Sequence, residues 1–81
     1  MTQVTLYGKP GCCLCDEARA EIAALQAERD FELSEVDITL DPALWRSHGE
    51  RIPVVEIDGE EAFELHVDRS ELARVLDTVR P

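Results

Sequence analysis

Four residues, Gly8-Lys9-Pro10-Gly11, separate an alternating β-forming run, Val4-Thr5-Leu6-Tyr7, from a segment with three cysteines in four positions, Cys12-Cys13-Leu14-Cys15. Glycine and proline break a strand and supply a loop, so a first strand ends near Tyr7. From Cys12 to about Arg29 the apolar residues Leu14, Ala18, Ile22 and Leu25 recur at helical spacing within alanine-rich sequence, which predicts a long helix. The chain is thereby committed to strand, loop and helix, with thiols at the junction.

The position of those thiols gives them a chemistry. A thiolate is the reactive form of cysteine, and a helix start offers unpaired N–H groups and the positive end of the peptide dipoles. Cys12 sits where that help is greatest. Cys15 lies one turn along, within reach of a mixed disulfide formed on Cys12. The competing reading is two small buried thiols in a helix. Asp16 and Glu17 suit the first turn of the helix but oppose a nearby thiolate, whereas Lys9 acts in the other direction.

At 81 residues the chain is read as one domain, residues 1–81, and folding buries only about 60% of the surface of a chain this short. Eight Lys and Arg against 18 Asp and Glu give a net charge of −10, which repels nucleic acid and anionic membranes. No stretch approaches the ~20 apolar residues of a membrane span, and Met1-Thr2-Gln3 leads into the first strand without a basic-apolar leader. A cytoplasmic monomer is expected. Three clustered cysteines cannot staple distant parts of a small fold, so structural disulfides are a poor explanation for them.

Phe31 to Ile38 reads as a second strand parallel to the first, with alternation that slips around Ser34 and Glu35, where a bulge or a change of burial is expected. Asp41 then Pro42 caps and starts a short helix, and Gly49 suits a left-handed exit from it. Trp45 on that helix is expected to pack against the sheet, with an exposed rim beside the dithiol as the alternative. Val54-Val55-Glu56-Ile57 and Glu61-Ala62-Phe63-Glu64-Leu65 flank Asp58-Gly59, a two-residue hairpin signal. Asp68 and Glu71 form a cap-like pair, and Leu72, Val75, Leu76 and Val79 make one apolar stripe of a third helix.

This order, with a dithiol after the first strand and Ile52-Pro53 opening the third, resembles the thioredoxin superfamily. The shortness of the chain and Lys9-Pro10-Gly11-Cys12 followed by Cys15 are most similar to small bacterial-type glutaredoxin-like proteins with a Cys-Cys-Leu-Cys site. The resemblance implies an α/β thioredoxin fold, β-α-β-α-β-β-α, with a four-stranded mixed sheet and three helices. It implies a thiol–disulfide oxidoreductase with Cys12 as nucleophile and Cys15 as resolving thiol. Pro53 matches the family's cis-proline, which turns the Ile52 backbone toward the dithiol, where it can pair with a substrate in strand fashion; the plain alternative is a strand-initiating proline. Lys9 matches a basic position that meets the glutathione carboxylate, with a solvated lysine as the alternative. Tyr7 is read as a strand aromatic at the core edge. The dithiol carries the electrons itself, so no cofactor is expected.

Two departures bear on substrate. Cys13-Leu14 replaces the family's Pro-Tyr, leaving Cys13 open as spacer, as partner in alternative disulfides, or as metal ligand; a Cys12–Cys13 bridge is strained. The family's glycine pair after the last strand is replaced by Glu64-Leu65-His66-Val67, and Glu64 is expected to repel an anionic tripeptide if it faces the site. Only Asp68 stands where an acidic residue meets the glutathione amine. A disulfide-containing protein, served by a thiol reductase, therefore rivals glutathione as partner. The alternative function is a metal or iron-sulfur carrier built on Cys12, Cys13 and Cys15, with His48 or His66 as a fourth ligand. The spacing of Cys13 and Arg19 also matches cysteine phosphatases and arsenate-type reductases, but their oxyanion loop is replaced here by a helical stretch carrying Asp16 and Glu17. A noncatalytic binding domain leaves the intact dithiol unexplained.

Overall fold

A computed structural model gives the fold over residues 2–78. In chain order it runs β1 (Gln3–Gly8), α1 (Cys13–Gln26), β2 (Glu32–Asp37), a 3-10 turn (Ile38–Leu40), α2 (Pro42–His48), β3 (Val54–Ile57), β4 (Glu60–Glu64) and α3 (Arg69–Thr78). The strands lie in the order β2-β1-β3-β4, with β1 parallel to β2 and antiparallel to β3, and β3 antiparallel to β4. This is the expected mixed four-stranded sheet with three helices, a thioredoxin fold.

β1 is central because it can be buried: Val4 and Leu6 point into the main core. That core joins them to Ala18, Ile22 and Leu25 of α1, Val55 and Ile57 of β3, and Leu72 and Leu76 of α3. Cys15, and not Leu14, begins the buried stripe of α1, so Cys15 is a core residue as well as a thiol. The slip around Ser34 and Glu35 is a change of burial. β2 runs in unbroken register with β1 from Gln3 opposite Glu32 to Gly8 opposite Asp37. β2 is an edge strand with no fully buried residue, which relaxes the need for alternation. The irregularity in pairing falls elsewhere, between Val55 and Glu56, where Ala62 is the extra residue on β4.

The caps work as the residue types demand. Asp41 accepts the N–H of Ala43 at 2.9 Å, and Asp68 accepts those of Ser70 at 2.8 Å and Glu71 at 3.3 Å. Asp58 and Gly59 both take positive φ, 52° and 87°, as a type I′ hairpin requires. Leu72 and Leu76 are buried and Val75 partly so; Val79 lies outside the described residues. Gly49 does not make a left-handed exit: its φ of −55° and ψ of −33° are right-handed helical. Its need for glycine is steric, since a Cβ there would stand 2.5 Å from the Trp45 carbonyl oxygen. Trp45 does not pack against the sheet and is 49% exposed; α2 buries no residue fully. Among the described residues no helix is long and apolar enough to cross a membrane.

Candidate active site

The loop Lys9–Cys12 turns through Gly11, whose φ of 78° needs glycine, and delivers Cys12 to the N-cap of α1. The helix therefore starts one residue later than expected, at Cys13. Cys12 acts as the cap: its Sγ accepts the backbone N–H of Cys15 at 3.2 Å, and its C=O accepts the N–H of Asp16 at 3.0 Å. A sulfur in that position meets both a donor and the positive end of a 14-residue helix, an environment that favours negative charge. All three cysteines are free thiols: Cys12 half-buried, Cys13 exposed, Cys15 buried.

Cys15 is 1% exposed and packs with Ile38 and Ile52, while Tyr7, Cys12 and Leu44 close the cluster. Its thiol is pushed up from 9.0 to about 11, chiefly by burial and next by its hydrogen bond with Cys12; the Lys9 backbone and the Arg19 charge pull in the opposite direction. Gly8 makes room for it, because a Cβ on residue 8 would lie 2.8 Å from the Cys15 sulfur. On the β2 side an open cavity of about 430 Å³ is lined by Gly8, Lys9, Cys15, Asp16, Arg19 and Glu35 among others. Arg19, one turn beyond Cys15, bonds to Asp16 at 2.8 Å and to Glu35, so its charge is held close to the buried thiol.

The other side of the dithiol is formed by Ile52 and Pro53, both buried, joined by a cis peptide bond. Among the described residues neither the N–H nor the C=O of Ile52 has a main-chain partner. Its neighbours are anchored: the carbonyls of Arg51 and Pro53 both accept the N–H of Leu65, at 3.1 and 2.9 Å. The Arg51 side chain bonds to the Ser47 carbonyl at 3.1 Å, to Glu64 at 3.3 Å and to Glu61, tying α2 and β4 to the segment before Pro53.

Several expected site residues are placed differently. Lys9 is exposed, with its Nζ 5.6 Å from the centre of the Trp45 ring, a cation–π contact. Trp45 thus belongs to an exposed rim beside the dithiol loop. Tyr7 donates its hydroxyl to Glu56 at 3.0 Å and stacks against His48 with centroids 4.8 Å apart; burial first, then Glu56, raises its pKa. Asp68 spends its Oδ1 on capping α3 and is not among the side chains packed around the dithiol. Glu64 is paired with Arg51, which offsets the repulsion expected from it. Exposed Cys13 and buried Cys15 do not converge, and no group of three metal-ligating side chains occurs among the described residues. The stretch from Cys13 to Arg19 is helical, leaving no loop to cradle an oxyanion.

Sequence reasoning missed the roles of Gly8, Arg19 and Arg51. Gly8 reads as a strand stop, and nothing in its spacing announces a sulfur packed against it. The (i, i+4) spacing of Cys15 and Arg19 is the one signal that was available for the cation beside the thiol.

The chain is similar to known proteins over nearly its whole length. A family model described as "Glutaredoxin-like domain (DUF836)" matches residues 3–77. An uncharacterized protein of Mycobacterium tuberculosis, Rv0508, is 33% identical, with 89% of this chain and 84% of that protein covered. Among solved structures, target protein XcR50 from X. campestris superposes with a TM-score of 0.81 at 32% identity, covering 95% of this chain and 99% of its own. Reduced Escherichia coli glutaredoxin superposes at 0.63 with 24% identity over 93% of each chain, a likeness of fold. With its thiols placed as described, the chain belongs to the glutaredoxin-like domain family.

Proposed function

We propose that this protein is a thiol–disulfide oxidoreductase that reduces disulfides of polypeptide substrates through Cys12 and Cys15, a finer reading than the thiol redox function its family suggests. The observation that carries it is the half-buried Cys12 sulfur capping α1 through the Cys15 N–H, with the Cys15 thiol buried behind it. In the forward reaction the Cys12 thiolate attacks one sulfur of a substrate disulfide, forming a mixed disulfide and releasing the first substrate thiolate, which takes up a proton. Cys15 then loses its proton, and its sulfur attacks the Cys12 sulfur, closing the Cys12–Cys15 disulfide and releasing the second substrate thiol. Two electrons pass to substrate, and an external thiol reductant, glutathione or a reductase, returns them to the dithiol.

The unpartnered Ile52 main chain supports a polypeptide substrate, which would add to it as a short strand beside Pro53. Lys9 is assigned to the rim of this groove through its contact with Trp45. Asp68 has no role here, because its capping of α3 accounts for it. The family's glycine pair is absent, which still argues against glutathione as the tight-binding partner, although pairing of Glu64 with Arg51 removes the electrostatic half of that argument.

The test is a pair of substitutions assayed on one polypeptide disulfide. Cys12→Ser abolishes reduction; Cys15→Ser leaves the first attack intact and accumulates the mixed disulfide, seen as a mass adduct on Cys12. Wild-type turnover by Cys12→Ser overturns the mechanism. Parallel assays with glutathione and with a thioredoxin reductase identify the electron donor.

A further inference from the structure

Leu65 has a backbone conformation that its side chain does not justify. Its φ is 67°, in the left-handed region that glycine and asparagine occupy readily and leucine does not. The His66 N–H donates to the Glu64 carbonyl at 2.7 Å, closing a three-residue turn with Leu65 at its centre; with positive φ this is the rare, strained form. Asp58, the other non-glycine residue with positive φ among those described, is explained by the hairpin it turns. Leu65 receives no such repayment. It is 42% exposed and belongs to neither core cluster.

What distinguishes Leu65 is its neighbour. Its N–H holds the carbonyls of both Arg51 and Pro53, so it brackets Ile52, whose own N–H and C=O are unpartnered among the described residues. Ile52 in turn packs on Cys15 with Cys12 alongside. A strained, exposed apolar residue is therefore fixed next to the free main chain that borders the dithiol. Strain kept where packing does not require it is a mark of function.

We infer that Leu65 is a specificity-determining residue that selects polypeptide disulfides carrying an apolar side chain next to the attacked cysteine. This rests on the reading that a polypeptide pairs with Ile52. A strand lying there presents one side chain toward Leu65, and a leucine in that place removes apolar surface of both from water, whereas a glycine does not.

The test uses two cystine peptides that are identical except for leucine or glycine after the cysteine, assayed with wild type, Leu65→Gly and Leu65→Asn. Both substitutions accept positive φ, so the backbone is kept and the apolar surface removed. Wild type is expected to favour the leucine peptide by about tenfold in kcat/KM, the lower end of the discrimination a small apolar difference gives. In both variants the ratio falls toward one, and their urea midpoints match or exceed wild type. A wild-type ratio near one, an unchanged ratio in the variants, or a lowered urea midpoint overturns the role of Leu65 while leaving the redox reading intact. Failure of wild type to reduce either peptide overturns both.

Discussion

Gly8 and Cys15 occupy space that admits no further carbon: a methyl on residue 8 would stand 2.8 Å from the Cys15 sulfur and 3.2 Å from its Cβ. The resolving thiol is therefore positioned by the end of β1 as much as by its own helix. Gly8→Ala is expected to cost about 1–3 kcal/mol, the usual penalty for overpacking, and to slow resolution of a mixed disulfide on Cys12. Urea denaturation of the reduced protein and the rate of ring closure measure the two effects. Wild-type values in both would show that Cys15 is not confined there.

The buried Cys15 thiol gives stability a pH dependence. Its folded value, about 11, lies above the ordinary 9.0, so the folded state keeps a proton that the unfolded chain gives up. The stabilisation is complete below pH 9.0 and is lost as pH rises toward about 11. A shift of this size corresponds to about 2 kcal/mol. Urea midpoints of the reduced protein at pH 8 to 11 follow it, and Cys15→Ser, which does not titrate there, is expected to flatten that part of the profile. The rate of mixed-disulfide resolution rises over the same interval, since the attacking species is the Cys15 thiolate.

Trp45 distinguishes a core residue from a rim residue by a single measurement. Truncation of a core tryptophan costs about 3–5 kcal/mol, whereas an exposed residue held by one cation–π contact contributes about 0.5–1 kcal/mol. Trp45→Ala is therefore expected to lower stability by no more than about 1 kcal/mol. Trp45 is the sole tryptophan, so fluorescence of the wild-type protein reports it alone, and ready quenching by acrylamide is expected. A loss near 3 kcal/mol, the core value, would return Trp45 to the interior.

Arg51 neutralises two carboxylates beside the Ile52 segment. In Arg51→Met, Glu61 and Glu64 lose that partner, and turnover of an anionic disulfide such as oxidised glutathione is expected to fall relative to a neutral one. The deficit closes at 1 M salt, where screening acts over about 3 Å. A deficit unchanged by salt would mean that Arg51 acts by shaping the loop and not by its charge.

Much of this architecture can be read in the chain because local chemistry fixes it. Val54 to Ile57, the Asp58-Gly59 turn, and the caps at Asp41 and Asp68 each follow from residues that satisfy their own neighbours' backbone. The failures share a cause: each depends on a partner distant in sequence or on a choice between two equivalent faces. Leu14 and Cys15 are adjacent apolar residues on one helix, and only docking on the sheet decides that Cys15 is buried. Gly49 serves equally as a left-handed exit or as a point of close approach, and the Trp45 carbonyl selects the second. The dithiol was legible because a strand, a Pro-Gly loop and a helix start are all local. Its surroundings, Gly8 against sulfur, Arg19 at the cavity and Arg51 across β4, were not.

Both margins of the sheet are open strands, β2 carrying Glu32 and Glu35, β4 carrying Glu60, Glu61 and Glu64. An unpaired strand edge invites another chain to add to it, and here a second copy would bring carboxylate against carboxylate. At neutral pH that repulsion guards the protein against self-association along its edges. Acidification discharges the guard, so the conditions that relieve the molecule of its −10 charge are also those under which its sheet becomes adhesive.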